Sequence, residues 1–330
     1  MKKNIYIFSD GELKRKDNTL RFLCEERQQY LPVEDISDIY AFGEINVTKK
    51  LLELLSQKEI ILHYFNYHGY YMGSFYPREH YNSGYLLLKQ AEAYNDEGYR
   101  LRLAKGFVKG SLKNIRQVLK YYENRDKDVG DPLLKIEACI EAIEEQPDIQ
   151  TLMAVEGHAR EMYYQCFDNI LDHPDFVFDK RTRRPPQNNL NTLISFGNSV
   201  LYTMVLSEIY RTHLDPRIAY LHTSNFRRFS LNLDVAEIFK PIIIDRAILS
   251  VIGKNQIKKS DFKGDYNGIL LKDGGKQNFL NEIERRLSQT LEIKALKRKV
   301  SYRRLIRMEL YKIEKDLMGE TPYVPYVSRW

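Results

Sequence analysis

The stretch GYYMGSFYPREHYNSGYLLLKQAEAY, residues 69–94, marks the point at which the sequence changes its hydrophobic period. Before it, short runs rich in aromatic and β-branched residues alternate with turn residues, which is typical of strands. After it, apolar residues recur every three or four positions in long amphipathic runs, which is typical of helices. We therefore predict an α+β protein with a small β-rich domain at residues 1–80 and a larger, mainly α-helical domain at residues 81–330.

The predicted β-rich domain contains two turn signals, one helix and an aromatic run. The dipeptides Asp-Gly at residues 10–11 and Asp-Asn at residues 17–18 each predict a tight turn between strands. The run VTKKLLELLS, residues 47–56, has helical spacing, and Thr48 is a candidate N-cap. The aromatic run HYFNYHGYYMGSFYP, residues 63–77, predicts a β-hairpin whose rings supply core.

The helical pattern of the second domain has two predicted interruptions. Pro241 is expected to kink or interrupt its helix, because proline lacks a backbone N–H. The segment FKGDYNGILLKDGGK, residues 262–276, contains Asn-Gly and Asp-Gly-Gly, which predict a small inserted β-hairpin. A single basic helix is then predicted over residues 276–318 at the C-terminal end.

The composition is that of a globular protein of the reducing cytoplasm. No apolar run approaches the ~20 residues of a membrane helix, and the apolar run near the N-terminus is too short for a signal peptide. The three cysteines are widely spaced, which predicts neither a disulfide framework nor a metal knuckle. We therefore expect a cytoplasmic protein without structural disulfides.

Basic residues are unevenly distributed and predict a polyanionic partner. The chain has 51 Lys and Arg against 45 Asp and Glu, a formal charge of +6. Arg181, Arg183 and Arg184 form one cluster before a Pro-Pro pair, and a longer basic run lies between Lys294 and Arg307. Such clusters suit phosphate contact, although the longer run is also ordinary for a solvated helix.

One histidine and two carboxylates lie close together in LHTSNFRRFSLNLDVAE, residues 221–237. Asp234 and Glu237 are three residues apart, so on a helix they share one face. His222 precedes them across a segment rich in Ser, Asn and Arg. The plain alternative is a surface helix in which Asp234 is the N-cap and Glu237 interacts favourably with the helix dipole.

A third carboxylate, Glu156, lies in the middle of the helical motif AVEGHARE, residues 154–161. It lies on a partly apolar stripe, where an unpaired charge is costly, unless it reaches solvent at the edge of the stripe. The adjacent Gly157 weakens a helix, which suggests that something packs closely there. Two or three acids with one imidazole favour Mn²⁺ or Mg²⁺ over a structural Zn²⁺ site, which would use thiolates.

These motifs together resemble the CRISPR-associated endonuclease-integrase of the spacer-acquisition machinery, the universal first Cas protein. The resemblance rests on AVEGHARE, on RRPPQNNLNTLISFGNSVLY at residues 183–202, on HTSNFRRFSLNLDVAEIFKP at residues 222–241, and on the β-then-α order. It covers nearly the whole chain. The form DVAE and the short N-terminus resemble the type I variant, subtype I-B.

The resemblance implies which residues carry the chemistry. Glu156 and His222 match metal ligands of the family, and Glu237 stands where many relatives carry an aspartate ligand. Asp234 matches the acid just before that ligand. The four residues are therefore the predicted catalytic set, with Glu156, His222 and Glu237 as ligands of Mg²⁺ or Mn²⁺. Either Glu237 binds the ion directly, or it binds through water with Asp234 assisting.

The implied function is a metal-dependent DNA endonuclease and integrase that inserts new spacers into a CRISPR array. A divalent ion polarises a phosphodiester, and the nucleophile is either water, which gives cleavage, or a 3′-hydroxyl, which gives strand transfer. Two alternatives remain open. One is a hydrolytic nuclease acting on branched repair intermediates, and the other is a non-catalytic DNA-binding scaffold.

The resemblance also implies the partners of the chain. A homodimer is expected to form through the β-rich domain, with the α-helical domain catalytic, and to work with a small companion Cas subunit. The DNA partners are a double-stranded prespacer and the CRISPR repeat. The residues predicted to contact the DNA backbone are Arg181, Arg183, Arg184, Arg227 and Arg228, of which the last two could instead pair with nearby acids.

Overall fold

The computed structural model describes residues 2–25, 27–78, 81–224, 229–265, 268–293 and 297–329. The chain divides into two compact units, Met1–Asn82 and Ser83–Trp330. Strands dominate the first unit and helices the second, which confirms the predicted α+β class. Dimerisation by the first domain and catalysis by the second stay predictions. No helix in the described ranges is long and apolar enough to cross a membrane.

The first unit is built from two four-stranded sheets and a helix. One sheet has the order β1-β5-β7-β8, with β1, β5 and β7 parallel and β8 antiparallel. The other has the order β4-β3-β2-β6. The elements are β1 (Lys3–Ile7), β2 (Gly11–Lys16), β3 (Thr19–Cys24), β4 (Arg27–Pro32), β5 (Ile36–Ala41), β6 (Ile45–Val47), α1 (Lys49–Lys58), β7 (Ile61–Phe65) and β8 (Tyr71–Phe75).

Local signals predicted most of this unit but not its sheet pairing. The hairpin at residues 17–18 is confirmed, because Lys16 pairs with Thr19 across an antiparallel ladder. The aromatic hairpin is confirmed as β7 and β8, and the Thr48 side chain caps α1. The predicted turn at residues 10–11 is wrong as a hairpin, because β1 and β2 join different sheets. Gly11 is still required, since a Cβ there would meet the Leu23 carbonyl.

The second unit consists of long helices around a core to which α6 contributes most of its length. The side chains of Ser83, Asp96, Asp148, Asn188 and Ser301 cap helices α2, α3, α5, α6 and α10 at their N-termini. The elements are α2 (Gly84–Asn95), α3 (Glu97–Glu123), α4 (Gly130–Ala142), α5 (Ile149–Leu171), α6 (Asn189–Tyr210), α7 (Leu231–Phe239), α8 (Arg246–Gly253), β9 (Phe262–Asp265), β10 (Gly268–Leu271), α9 (Asp273–Ser288), β11 (Thr290–Ile293), β12 (Arg298–Ser301) and α10 (Tyr302–Leu317).

The inserted hairpin is confirmed, but the single C-terminal helix is wrong. Strands β9 and β10 pair antiparallel, while the Asp-Gly-Gly at residues 273–275 begins α9 instead of ending the hairpin. Between α9 and α10 lies a second hairpin, β11 and β12, in which Leu291 pairs with Val300. Alternating apolar and polar residues at 290–293 favour a strand, and the many basic residues nearby conceal this pattern.

The chain passes Pro241 without leaving a helical path. Residues Lys240–Asp245 form a π-helix that joins α7 to α8. Proline cannot donate the backbone hydrogen bond of an α-helix, so the predicted interruption takes the form of this wider turn. Short π-helical turns are frequent at functional sites, and this one directly follows the helix that carries Asp234 and Glu237.

Candidate metal and nucleic-acid site

Helix α3 packs against both α5 and α7 and so brings remote polar residues together. Asn114 of α3 donates a hydrogen bond of 2.9 Å to the carbonyl of Ile238, which ties α3 to α7. Glu156 lies in the middle of α5, and Glu237 lies in α7. The packing of these three helices therefore places two carboxylates from separate parts of the sequence in one site.

A single guanidinium joins the two carboxylates. Arg160 Nε contacts Glu156 Oε1 at 2.7 Å, and Arg160 Nη2 contacts Glu237 Oε2 at 2.5 Å. The same Nη2 donates to Ser111 Oγ of α3 at 2.8 Å. The other oxygen of Glu237, Oε1, accepts from the Lys240 ammonium. Each of the two positive groups thus contacts its own oxygen of Glu237.

The surrounding charges keep the buried acid Glu237 ionised. Burial opposes its charge, but Lys240 and Arg160 outweigh burial and lower the pKa of Glu237 from 4.5 to about 2. Burial likewise opposes the charge of Lys240, yet Glu237 keeps the pKa of Lys240 above its ordinary value. The site is therefore a buried arrangement of full charges rather than of neutral groups.

Asp234 organises the loop that carries His222. Its Oδ2 accepts from the backbone N–H groups of Tyr220 at 2.6 Å and Leu221 at 2.9 Å. Its Oδ1 accepts from the backbone N–H of His222 at 2.9 Å and contacts the imidazole Nδ1 at 2.8 Å. Since a carboxylate only accepts, Nδ1 carries the proton and Nε2 is the ring nitrogen left for a ligand.

His222 is electrostatically coupled to the same cluster. Burial opposes a charged imidazole, but the hydrogen bond and charge of Asp234, with the charge of Glu237, raise the pKa of His222 above 6.5. The structure thus links Glu156 to Glu237 through Arg160 and His222 to Asp234 by a direct hydrogen bond, and the charges of His222 and Glu237 act on each other. It excludes the N-cap alternative for Asp234, because the N-cap of α7 is Ser230.

Glu156 is bound within this network rather than extended into solvent. Its side chain is 19% exposed and pairs with Arg160. The expectation that something packs closely at Gly157 is wrong, since a Cβ there would meet nothing within 4 Å.

The site contains protein cations where a metal would be expected. In the part of the chain that the structure describes, no three His, Cys, Asp or Glu side chains are arranged to hold an ion. The Arg160 guanidinium lies between Glu156 and Glu237 and contacts both. Carboxylate oxygens with one imidazole are a donor set for Mg²⁺ or Mn²⁺. The donor types therefore suit a divalent ion, which Glu156, Glu237 and His222 would hold.

The predicted DNA-contact arginines have different environments. Arg181 is half-buried, and its guanidinium donates to Asn191 Oδ1 at 2.9 Å and Ser195 Oγ at 3.0 Å, both on α6. Arg183 and Arg184 are exposed. The fold therefore uses the Arg181 guanidinium internally, while the two others lie at the surface. Arg227 and Arg228 lie outside the described residues.

Part of the C-terminal basic run is neutralised inside the second unit. Two of its cations form ion pairs with acids of other helices: Arg303 with Glu284 of α9 at 2.7 Å, and Arg307 with Glu208 of α6 at 2.6 Å. These two pairs hold α10 against α9 and α6, so their charge is structural. A count of basic residues overstates the positive surface of this segment.

Sequence reasoning missed the residues that neutralise the site. Arg160 lies four residues after Glu156, and Lys240 lies three residues after Glu237, which are spacings at which helical side chains meet. These spacings could have predicted the ion pairs. The sharing of Arg160 between two helices depends on their packing and has no local signal in the sequence.

The family model described as CRISPR associated protein Cas1 matches residues 5–285. The chain belongs to the Cas1 family. A protein named CRISPR-associated endonuclease Cas1 2, from Thermodesulfovibrio yellowstonii, is 57% identical over 330 residues, which is all of both chains. This similarity extends over the whole length of the sequence and so includes both units.

Solved structures share the fold. A Cas1 protein from Thermotoga maritima is 46% identical, with a TM-score of 0.87, and the match covers 98% of this chain and 99% of that one. A casposase bound to its integration product has a TM-score of 0.85 at 19% identity, covering 100% of this chain and 96% of that one. A chain of a Cas6-RT-Cas1–Cas2 complex has a TM-score of 0.84 at 17% identity, and the match covers 100% of this chain and 36% of that one. At such low identity the last two show the fold alone.

Proposed function

We propose that this Cas1-family protein is a metal-dependent DNA endonuclease and integrase that inserts new spacers into a CRISPR array. The observation that supports this most is the joining of Glu156 and Glu237 by one guanidinium, with the charge of Glu237 also acting on His222. Two carboxylates that already share a cation are suited to share a divalent ion. The endonuclease names of the full-length relatives support the reaction class.

Within the site, Glu156, Glu237 and His222 would hold Mg²⁺ or Mn²⁺. Asp234 has a different role, because both of its oxygens are used by three backbone N–H groups and the imidazole Nδ1. Such a carboxylate orients a ligating imidazole and fixes its tautomer. We therefore assign direct contact to Glu237 and a positioning role to Asp234.

The bound ion would polarise a phosphodiester and help to activate an oxygen nucleophile. The exposed Arg183 and Arg184, with Arg227 and Arg228, would hold the phosphate backbone near the carboxylates. Nothing local to the ligands selects between water and a 3′-hydroxyl. A held DNA end has a large effective concentration, so positioning of the strand favours transfer over cleavage.

The proposed working form is a homodimer that joins through the β-rich domain and binds double-stranded prespacer and repeat DNA. A small companion Cas subunit completes it, which the match to a chain of a Cas1–Cas2 complex supports. The Glu in DVAE supports assignment to a type I system, subtype I-B. We propose that the protein acts on DNA in the cytoplasm.

The test is a strand-transfer assay with a 3′-hydroxyl donor, a supercoiled target and the companion subunit. Wild type should join the donor covalently in Mg²⁺ or Mn²⁺, and His222→Ala should reduce joining by about 100-fold or more. His158→Ala is the matched control, because His158 is an exposed histidine of α5. Cleavage without joining would indicate a hydrolytic nuclease. Joining that survives both chelation and Glu156→Ala would refute the metal site.

A further inference from the structure

The π-helix contains a buried aspartate, Asp245. Asp245 is completely buried, and neither of its carboxylate oxygens has a hydrogen-bond partner among the described residues. Burial raises its pKa from 3.8 to about 7 against the opposing charges of Arg160 and Lys240. An unpartnered buried carboxyl group is costly and requires an explanation.

The neighbourhood of Asp245 contains further unpartnered polar atoms. Arg160 Nη1 is buried and has no partner within the described ranges, and the same holds for the hydroxyls of Tyr163 and Tyr164. All three residues belong to α5. This helix packs against α8, which begins at the residue after Asp245. The charges of Arg160 and Asp245 act on each other, although no ion pair joins them. The structure thus holds an unused acceptor near a partly unused donor.

We propose that Arg160 has two positions, and that it moves from the Glu156–Glu237 pair to Asp245 when a divalent ion enters the site. In the first position, which the structure shows, it neutralises the two carboxylates. In the metal-bound protein it pairs with Asp245. This inference rests on the metal site of the proposed function.

The charge distribution explains why Arg160 is the group that moves. Arg160 contacts Glu237 Oε2, while Lys240 contacts Oε1. Arg160 also contacts Glu156, so an ion shared by both carboxylates must displace Arg160 and can leave Lys240 in place. A guanidinium that moves to a buried position without a counter-charge is strongly destabilised, as a buried ion is when its partner is removed. Asp245 supplies that counter-charge.

The two positions also protect the metal-free protein. Without Arg160, Glu156 and Glu237 would lose the cation that both contact, and Lys240 would offset the charge of Glu237 alone. Like charges at short range in a low dielectric repel strongly. Arg160 therefore keeps the ligands assembled in the absence of metal, and Asp245 lowers the cost of releasing them.

The test measures Mn²⁺ binding to the purified full-length protein by isothermal titration calorimetry without DNA. Asp245→Asn removes the charge that receives Arg160, so we expect Mn²⁺ affinity to fall about tenfold, the effect of a lost outer-shell partner. The thermal midpoint of the metal-free protein should stay at the wild-type value, because Asp245 makes no bond in that state. Tyr163→Phe removes an unpartnered hydroxyl from the same neighbourhood without a change of charge, and should bind Mn²⁺ like wild type.

A double-mutant cycle with Arg160→Gln separates the moving arginine from a general effect of charge. Arg160→Gln should bind Mn²⁺ at least as tightly as wild type, and Asp245→Asn should cause no further loss in that background. An equal loss in both backgrounds would overturn the proposal, because Asp245 would then act without Arg160. If wild type binds Mn²⁺ and Asp245→Asn binds it equally tightly, the proposal of two positions for Arg160 is refuted, but the metal site of the proposed function is not. If wild type binds none, the metal site of the proposed function fails as well.

Discussion

Two buried aspartates, Asp234 and Asp245, should respond in opposite ways to the same substitution. Both are completely buried, yet Asp234 accepts four hydrogen bonds and Asp245 accepts none within the described chain. Replacing each by asparagine conserves shape and removes one potential negative charge. The difference in stability between the two variants therefore measures the bonds and not the burial.

The magnitude for Asp234→Asn follows from its bonding. One oxygen accepts from Tyr220 and Leu221, and the other accepts from the backbone and ring of His222. The asparagine side chain keeps one acceptor oxygen. Its NH₂ group would face the two N–H donors that bonded to the other carboxylate oxygen, so those two hydrogen bonds are lost. Two lost bonds to a charged acceptor, at about 1.5–3 kcal/mol each, predict a loss of about 3–6 kcal/mol in the free energy of unfolding.

The expected loss is a large share of the total stability of a folded domain, which is about 5–15 kcal/mol. Asp245→Asn loses no bond, so its free energy of unfolding should stay within about 1 kcal/mol of wild type. Urea denaturation followed by circular dichroism, with all three proteins free of metal, gives the comparison. Equal destabilisation of the two variants would contradict the assigned roles, because burial alone would then decide stability.

Three further predictions concern other parts of the second unit. Gly157→Ala should raise the free energy of unfolding by about 1 kcal/mol in calorimetry, because the space beside it is open. Burial opposes the charged form of Glu282, but hydrogen bonds from Arg285 hold the pKa of this carboxyl group below 4.5. The ionised Glu282 therefore contributes stability that is fully present above pH 4.5 and is lost as the pH falls through its folded-state pKa. Glu282→Gln should be less stable than wild type at neutral pH and should approach the stability of wild type in acid. Arg183→Ala and Arg184→Ala should each reduce the salt slope of DNA binding by about 0.9 in a fluorescence titration.

Local sequence signals were sufficient where structure is decided locally. The change of period within residues 69–94 predicted the α+β class, and the turn at residues 17–18 joins two strands that pair directly. The turn at residues 10–11 has equally suitable residues, but its flanking strands join different sheets. Which strand a residue pairs with depends on distant partners such as β5, and no local pattern contains that information.

The candidate site shows the same division between residue type and partnership. The acids and the histidine could be selected from the sequence because hard cations require such ligands. The role of Asp234 could not be predicted in this way. The backbone N–H groups that donate hydrogen bonds to it belong to a loop twelve or more residues earlier, which folds back over α7. The isolation of Asp245 was equally inaccessible, because a missing partner is a property of the packed interior.

The contrast between these aspartates explains how one site can be both rigid and responsive. Asp234 uses all of its bonding capacity on the loop of His222, so the imidazole has one orientation whether or not an ion is present. Asp245 accepts no hydrogen bond from any described residue. A fully bonded acid holds a ligand still, whereas an unbonded acid can receive a displaced cation. Metal affinity in such a site depends on the acid that never touches the metal as well as on the ligands.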